Sequence, residues 1–119
     1  MTGEVGLFDV VELLNDLPEQ SLRAGNRGAV VHCHPDGAYE VEFANQDGET
    51  VALCPLSPQQ FLVVWQAKTK SWVPLSEQVA TLVTRLPERA EREIFNFARY
   101  LFLQEQMAAD SLLALTTEV

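Results

Sequence analysis

Between Phe8 and Trp65, residues that break regular structure recur so closely that no element longer than about seven residues fits between them. Pro18 withdraws a backbone donor and restricts Leu17 before it. Gly25-Asn26-Arg27-Gly28, Pro35-Asp36-Gly37 and Asn45-Gln46-Asp47-Gly48 are turn sequences, glycine supplying positive φ and proline presetting φ. Between them, Tyr39-Glu40-Val41-Glu42-Phe43 has a period of two, which turns Tyr39, Val41 and Phe43 inward and both glutamates outward. Ala29-Val30-Val31-His32-Cys33-His34, Thr50-Val51-Ala52-Leu53-Cys54 and Phe61-Leu62-Val63-Val64-Trp65 read as further strands, the last entered through a tight helical turn at residues 56–60. Residues 8–14 fit a strand or a short helix, and the β-branched pair Val10-Val11 favours strand. Four or five short strands joined this closely fit a small antiparallel barrel.

These residues also carry a resemblance. Leu7-Phe8-Asp9-Val10-Val11, Leu17-Pro18, Leu22, Gly25 and Gly28-Ala29-Val30-Val31 lead on to Tyr39-Glu40-Val41-Glu42-Phe43, Asp47-Gly48, Thr50 and a closing strand with Gln60. Across residues 7–64 this pattern resembles a small uncharacterised family of bacterial domains of unknown function. The order of strand, loop, glycine pair, hairpin, single helical turn and last strand is similar to an SH3-like barrel. The resemblance implies a fold and brings no catalytic residues with it.

After Trp72 the periodicity changes to that of helices. Ser76 is placed as an N-cap, and Val79, Leu82, Val83 and Leu86 follow at i, i+3, i+4 and i+7. Pro87 suits the first turn of a second helix, with Glu88 and Glu91 near its positive end. That helix is expected to run from Arg92 to about Ala109. Its middle, residues 94–103, is apolar nearly all the way round, and a helix apolar on more than one face needs partners on more than one side. Ile94, Phe95, Phe97, Tyr100, Leu101 and Phe102 are therefore the candidate partner-binding residues, in a homodimer seam or in another protein's groove. The competing reading packs both faces within the monomer. Val83-x-x-Leu86-Pro87-Glu88, followed by Glu93-Ile94-x-x-Phe97 and Tyr100-Leu101, is similar to a segment of small bacterial antitoxin-like proteins. There a leucine–proline pair and a charged turn precede an aromatic-rich helix. That second resemblance implies a protein partner of the toxin kind.

Charge narrows the partners. Residues 1–67 hold ten acids and two bases, a net of −8, whereas residues 68–119 hold seven acids and six bases, a net of −1. The total of −9 argues against nucleic acid and against an anionic membrane surface, both of which require a basic face. No apolar run approaches the roughly 20 residues of a membrane span, and Met1-Thr2-Gly3-Glu4 lacks the build of a signal peptide. Two cysteines, Cys33 and Cys54, are too few for a disulfide framework, which makes the cytoplasm the expected compartment.

Catalytic and metal chemistry find little footing. On a strand His32 and His34 share one face and Cys33 takes the other, giving two imidazole ligands where a structural zinc site needs four. A thiol nucleophile paired with either histidine lacks an accompanying oxyanion loop. Glu40 and Glu42 read as solvated surface, and Gly25-x-x-Gly28 as a positive-φ turn instead of a phosphate loop. Trp65 and Trp72 flank the only two lysines, Lys68 and Lys70, an arrangement that stacks bases in some proteins. Here a hairpin whose tryptophans cover the barrel mouth, or its junction with the first helix, fits the charge better.

The expectation is an α+β chain: a small antiparallel SH3-like β-barrel at 1–66, a hairpin or linker at 67–75, and a helical hairpin or helix pair at 76–119. Its expected function is that of a non-enzymatic protein-binding module without metal or cofactor. One form is the antitoxin-like or immunity member of a bacterial gene pair, meeting a basic toxin. The other is an assembly adaptor that forms a homodimer through the second helix and binds a larger complex.

Overall fold

The structure, a computed structural model, describes residues 4–117. Six antiparallel strands come first: β1 (Val10–Leu13), β2 (Arg27–Cys33), β3 (Tyr39–Ala44), β4 (Thr50–Leu56), β5 (Phe61–Gln66) and β6 (Ser71–Trp72). Two helices follow, α1 (Leu75–Thr84) and α2 (Glu88–Thr117). A short 3-10 turn at Pro18–Gln20 lies between the neighbouring strands β1 and β2, and one at Pro58–Gln60 lies where the chain crosses the sheet from β4 to β5. The strand order is β4-β3-β2-β1-β5-β6, so β1 is central, with Val11 level with Gly28 of β2 and with Val63 of β5. Among the described residues the outer strands β4 and β6 do not pair, and the expected closed barrel is instead an open six-stranded sheet. The chain divides into two compact units, one reaching Val79 and the other starting at Ala80.

Alternation builds the core of the first unit. Val11, Leu13, Val30, Val41, Phe43 and Phe61 are nearly inaccessible and belong to one apolar cluster that Leu56 and Cys54 join. Each such side chain contributes roughly 1.5–3 kcal/mol by leaving water. As the period of two requires, Val41 and Phe43 lie inside while Glu40 and Glu42 do not. β1 is shorter than the 8–14 segment that suggested it. Phe8 takes a left-handed backbone (φ 69°) at one end, and Leu14-Asn15 bend away at the other.

The two glycines of Gly25-x-x-Gly28 have different reasons to be glycine. Gly25 does sit at positive φ (96°) in the turn. Gly28 instead lies within β2, where a Cβ would come within 2.8 Å of the Glu42 carbonyl oxygen and of the Val41 side chain, and within 2.9 Å of Phe43. Its role is close approach to β3, which corrects the expectation of a positive-φ turn at that position.

The helices also depart from expectation at their ends. Ser76 is not the N-cap. The Pro74 carbonyl accepts the first bonds, from the N–H groups of Glu77 and Gln78, and the Gln78 side-chain amide donates to the Val73 carbonyl at 2.9 Å. Pro87 plays the same part for α2, accepting from Ala90 and Glu91. α2 then continues eight residues past Ala109 to Thr117, through a stretch rich in leucine and alanine that favours helix. At 30 residues it is about 45 Å long.

Candidate partner-binding helix

α2 presents its apolar residues to solvent. Phe97 is 61% exposed and Phe102 66%, with Phe95, Tyr100 and Leu101 also exposed and only Ile94 half-buried. No residue from Glu88 to Thr116 is buried. Rings contact one another along the helix: Phe97 and Tyr100 are near-parallel at 6.3 Å, and the Arg99 guanidinium lies 5.4 Å from the centre of the Phe95 ring. Arg99 also donates to the Asn96 side-chain oxygen at 3.3 Å. A row of this kind in water carries a free-energy penalty that association removes, since each side chain sheltered regains part of its transfer free energy.

The exposed surface is longer than the sequence reading placed it. Leu103, Met107, Leu112, Leu113 and Leu115 are as open as the aromatic residues. For Leu115 a signal is present in the sequence, because Ile94, Leu101, Ala108 and Leu115 recur at seven-residue intervals. α1 behaves alike: Val79 and Leu82 are exposed, Val83 is half-buried, and the helix buries no residue.

The other candidates resolve into structural roles. The His32 and His34 rings do share a face, edge to face at 4.8 Å. His34 Nε2 is 2.7 Å from Glu40 Oε1, which engages it within the sheet. Cys33 is exposed, while Cys54 is buried in the core. Burial pushes the Cys54 thiol above its ordinary value, and the Glu40 carboxylate adds to the rise. A thiol held protonated in this way is a poor nucleophile. Among the described residues no three of His, Cys, Asp and Glu come together as a metal site. Trp72 does not cover the sheet. It is largely exposed opposite Trp65, with the Arg27 guanidinium 5.5 Å from its ring centre. A shallow depression of about 470 Å³ lies beside the 3-10 turns, lined by Leu17, Pro18, Glu19, Pro55 and Gln60 among others.

Asp9 is the one buried charged side chain among the described residues, and the sequence reading did not single it out. One carboxylate oxygen accepts the Gly6 N–H at 2.8 Å and the other the Ala67 N–H at 2.8 Å. Both acceptors are therefore used by backbone, and the group acts as a tie within the sheet unit.

Residues 7–63 match the family model described as Domain of unknown function (DUF4926). The match bears out the resemblance to an uncharacterised small-domain family over the strands β1 to β4 and the first part of β5. It ends before β6, so α2 lies outside it. No curated protein and no solved structure matches the chain. Among the described residues, no helix is long and apolar enough to cross a membrane.

Proposed function

We infer that this chain is a non-enzymatic protein-binding module whose main contact surface is α2. The observation that carries the reading is the exposure of Phe95, Phe97, Tyr100, Leu101 and Phe102 together on one helix. The sheet unit adds a second, electrostatic surface. Residues 1–67 hold a net −8, which steers a basic protein toward it and repels acidic ones. In its antitoxin-like or immunity form the module meets a small basic protein. In its adaptor form α2 joins two copies and the sheet unit meets a larger assembly. The placement of β1 between β2 and β5, with a 3-10 turn ahead of β5, supports an SH3-like reading of residues 7–64.

The test is capture of bound proteins from the native host by the full chain and by its Phe97→Asp/Phe102→Asp variant, with mass spectrometry of what is retained. A discrete partner retained by the parent and lost by the variant, with the variant's circular dichroism unchanged, is the expected result. Loss of folding in the variant instead would identify those rings as ordinary core and overturn the reading.

A further inference from the structure

We propose that the open edge of β4 receives an extended, basic segment of a partner protein as an added strand. This rests on the reading of the sheet unit as a surface that meets a basic protein, and it names the strand that holds that protein.

Among the described residues β4 pairs with β3 on one side and with no strand on the other. The direction of its backbone groups follows from bonds deeper in the sheet. The Val30 C=O accepts from the Phe8 N–H, and the Val30 N–H donates to the Asp9 C=O, so Val30 turns its backbone toward the lead-in to β1. Ala29, the next residue along, therefore turns toward β3, where it is level with Glu42. Val41 and Phe43 then face β4, level with Cys54 and Ala52. Alternation leaves the N–H and C=O of Val51 and Leu53 directed away from the sheet, with the C=O of Pro55 beside them. Pro55 has no N–H, and at this outward position its absence takes no bond from the ladder. The opposite edge, β6, has two residues against seven in β4, too short a ladder for a strand to join.

The two faces of this edge specify what joins it. On the outer face Val51 and Leu53 are more than half exposed, and Glu42 and Glu40 of β3 stand level with Leu53 and Pro55. A lysine or arginine of the added strand lays its stem along Val51 or Leu53 and extends its charge toward Glu42. On the inner face, the depression of about 470 Å³ is lined by Cys54 and Leu56, the inward residues of β4, together with Leu17 and Pro18. The alternate side chains of the added strand point to that face, and an apolar one enters the depression. The matching segment is thus basic and apolar by turns.

Charge selects the occupant. Residues 28–67 hold Asp36, Glu40, Glu42, Asp47 and Glu49 and no lysine or arginine. A second copy paired edge to edge would bring together two sheet units that each carry the net −8 of residues 1–67. An acidic segment meets the same repulsion. A basic one is attracted, and its ladder bonds satisfy the edge groups.

The probe is a capped peptide of alternating lysine and valine, matched to β4 in length and added to the full chain, with amide exchange followed by NMR. Exchange at the Val51 and Leu53 N–H groups is expected to slow about tenfold or more at saturation. The same peptide with glutamate for lysine should protect neither, and Glu42→Gln should weaken the lysine peptide about threefold. Two N-methylated peptides, one blocked at its lysine amides and one at its valine amides, keep the charge. Only one of these sets faces β4, so one form should lose about tenfold in affinity while the other retains it. Equal affinity of the two forms overturns strand addition, and equal binding of the glutamate peptide overturns the basic partner. Val51 and Leu53 amides already protected without peptide also overturn the proposal, a second copy being the occupant if protection grows with protein concentration. The Phe97→Asp/Phe102→Asp variant should bind the peptide as the parent does. Failure of the peptide to protect β4, with host-protein capture still dependent on Phe97 and Phe102, removes the edge site and leaves the α2 reading standing. Protection of β4 with capture indifferent to those rings supports the edge site and removes the α2 reading.

Discussion

The sheet unit and α2 are similarly rich in large apolar residues, yet they dispose of them in opposite ways. In the sheet, Val11, Val30 and Val41 have no accessible surface, and their backbone groups are paired along the ladder. In α2, whose backbone is equally satisfied, Phe97, Phe102 and Leu115 remain in water. The contrast shows that hydrogen bonding and apolar burial are separate requirements. A helix meets the first alone and depends on a neighbour for the second. Charge divides along the same line, with the acidic excess on the unit that is already packed. The molecule thus combines a packed, acidic unit with an exposed apolar helix.

The sharpest way to break this contrast is to truncate one aromatic on each side. Phe43→Ala, in the core, is expected to cost the sheet unit about 3–5 kcal/mol. Phe102→Ala should change its stability by less than about 0.5 kcal/mol. Both are read from urea unfolding followed by Trp65 and Trp72, which lie in β5 and β6 and report on the sheet alone. Equal costs would mean that Phe102 is core. A smaller effect, about 1–3 kcal/mol, is expected of Gly28→Ala, because the added methyl must displace the Glu42 carbonyl or the Val41 and Phe43 side chains. A neutral outcome in the same unfolding assay would show that β2 and β3 can separate at little expense.

The smallest effect is a pH dependence. The Cys54 thiol ionises less readily folded than unfolded, where its ordinary value is 9.0. Below that value both states keep the proton and stability is whole. As pH rises through it, the unfolded chain gains from ionisation and the sheet unit loses stability. Comparing Cys54→Ala with the parent across pH 8 to 10 (roughly one unit either side of the ordinary thiol value) should show a shallower decline in the variant. Parallel declines would sink the assignment.

Much of the sheet was legible because alternation and turn chemistry are local. Tyr39 to Phe43 states its own inner and outer faces, and Pro35-Asp36-Gly37 states where the chain reverses. What stayed hidden depends on distant partners. Whether β4 and β6 meet is decided by the coiling of the whole sheet, which no stretch of residues records. Gly28 looks like any turn glycine until the backbone of β3 is laid against it. Trp72 reads as a cover for apolar surface, but the sheet leaves it exposed beside Arg27. In α2 the aromatic cluster drew attention to residues 94–103. The quieter seven-residue recurrence of Ile94, Leu101, Ala108 and Leu115 reaches well past it. The exposure of α1 was not legible at all, since an i, i+3, i+4, i+7 row looks the same whether or not something covers it.

Asp9 gives the sheet unit a topological property. Its two oxygens receive backbone N–H groups from Gly6 and from Ala67, so the contour between those residues starts and finishes at one carboxylate. A segment whose ends meet can be cut elsewhere, rejoined, or set into another chain without stretching its frame. The span that matches the family model, residues 7–63, thus sits inside a closed loop, and α2 lies outside both.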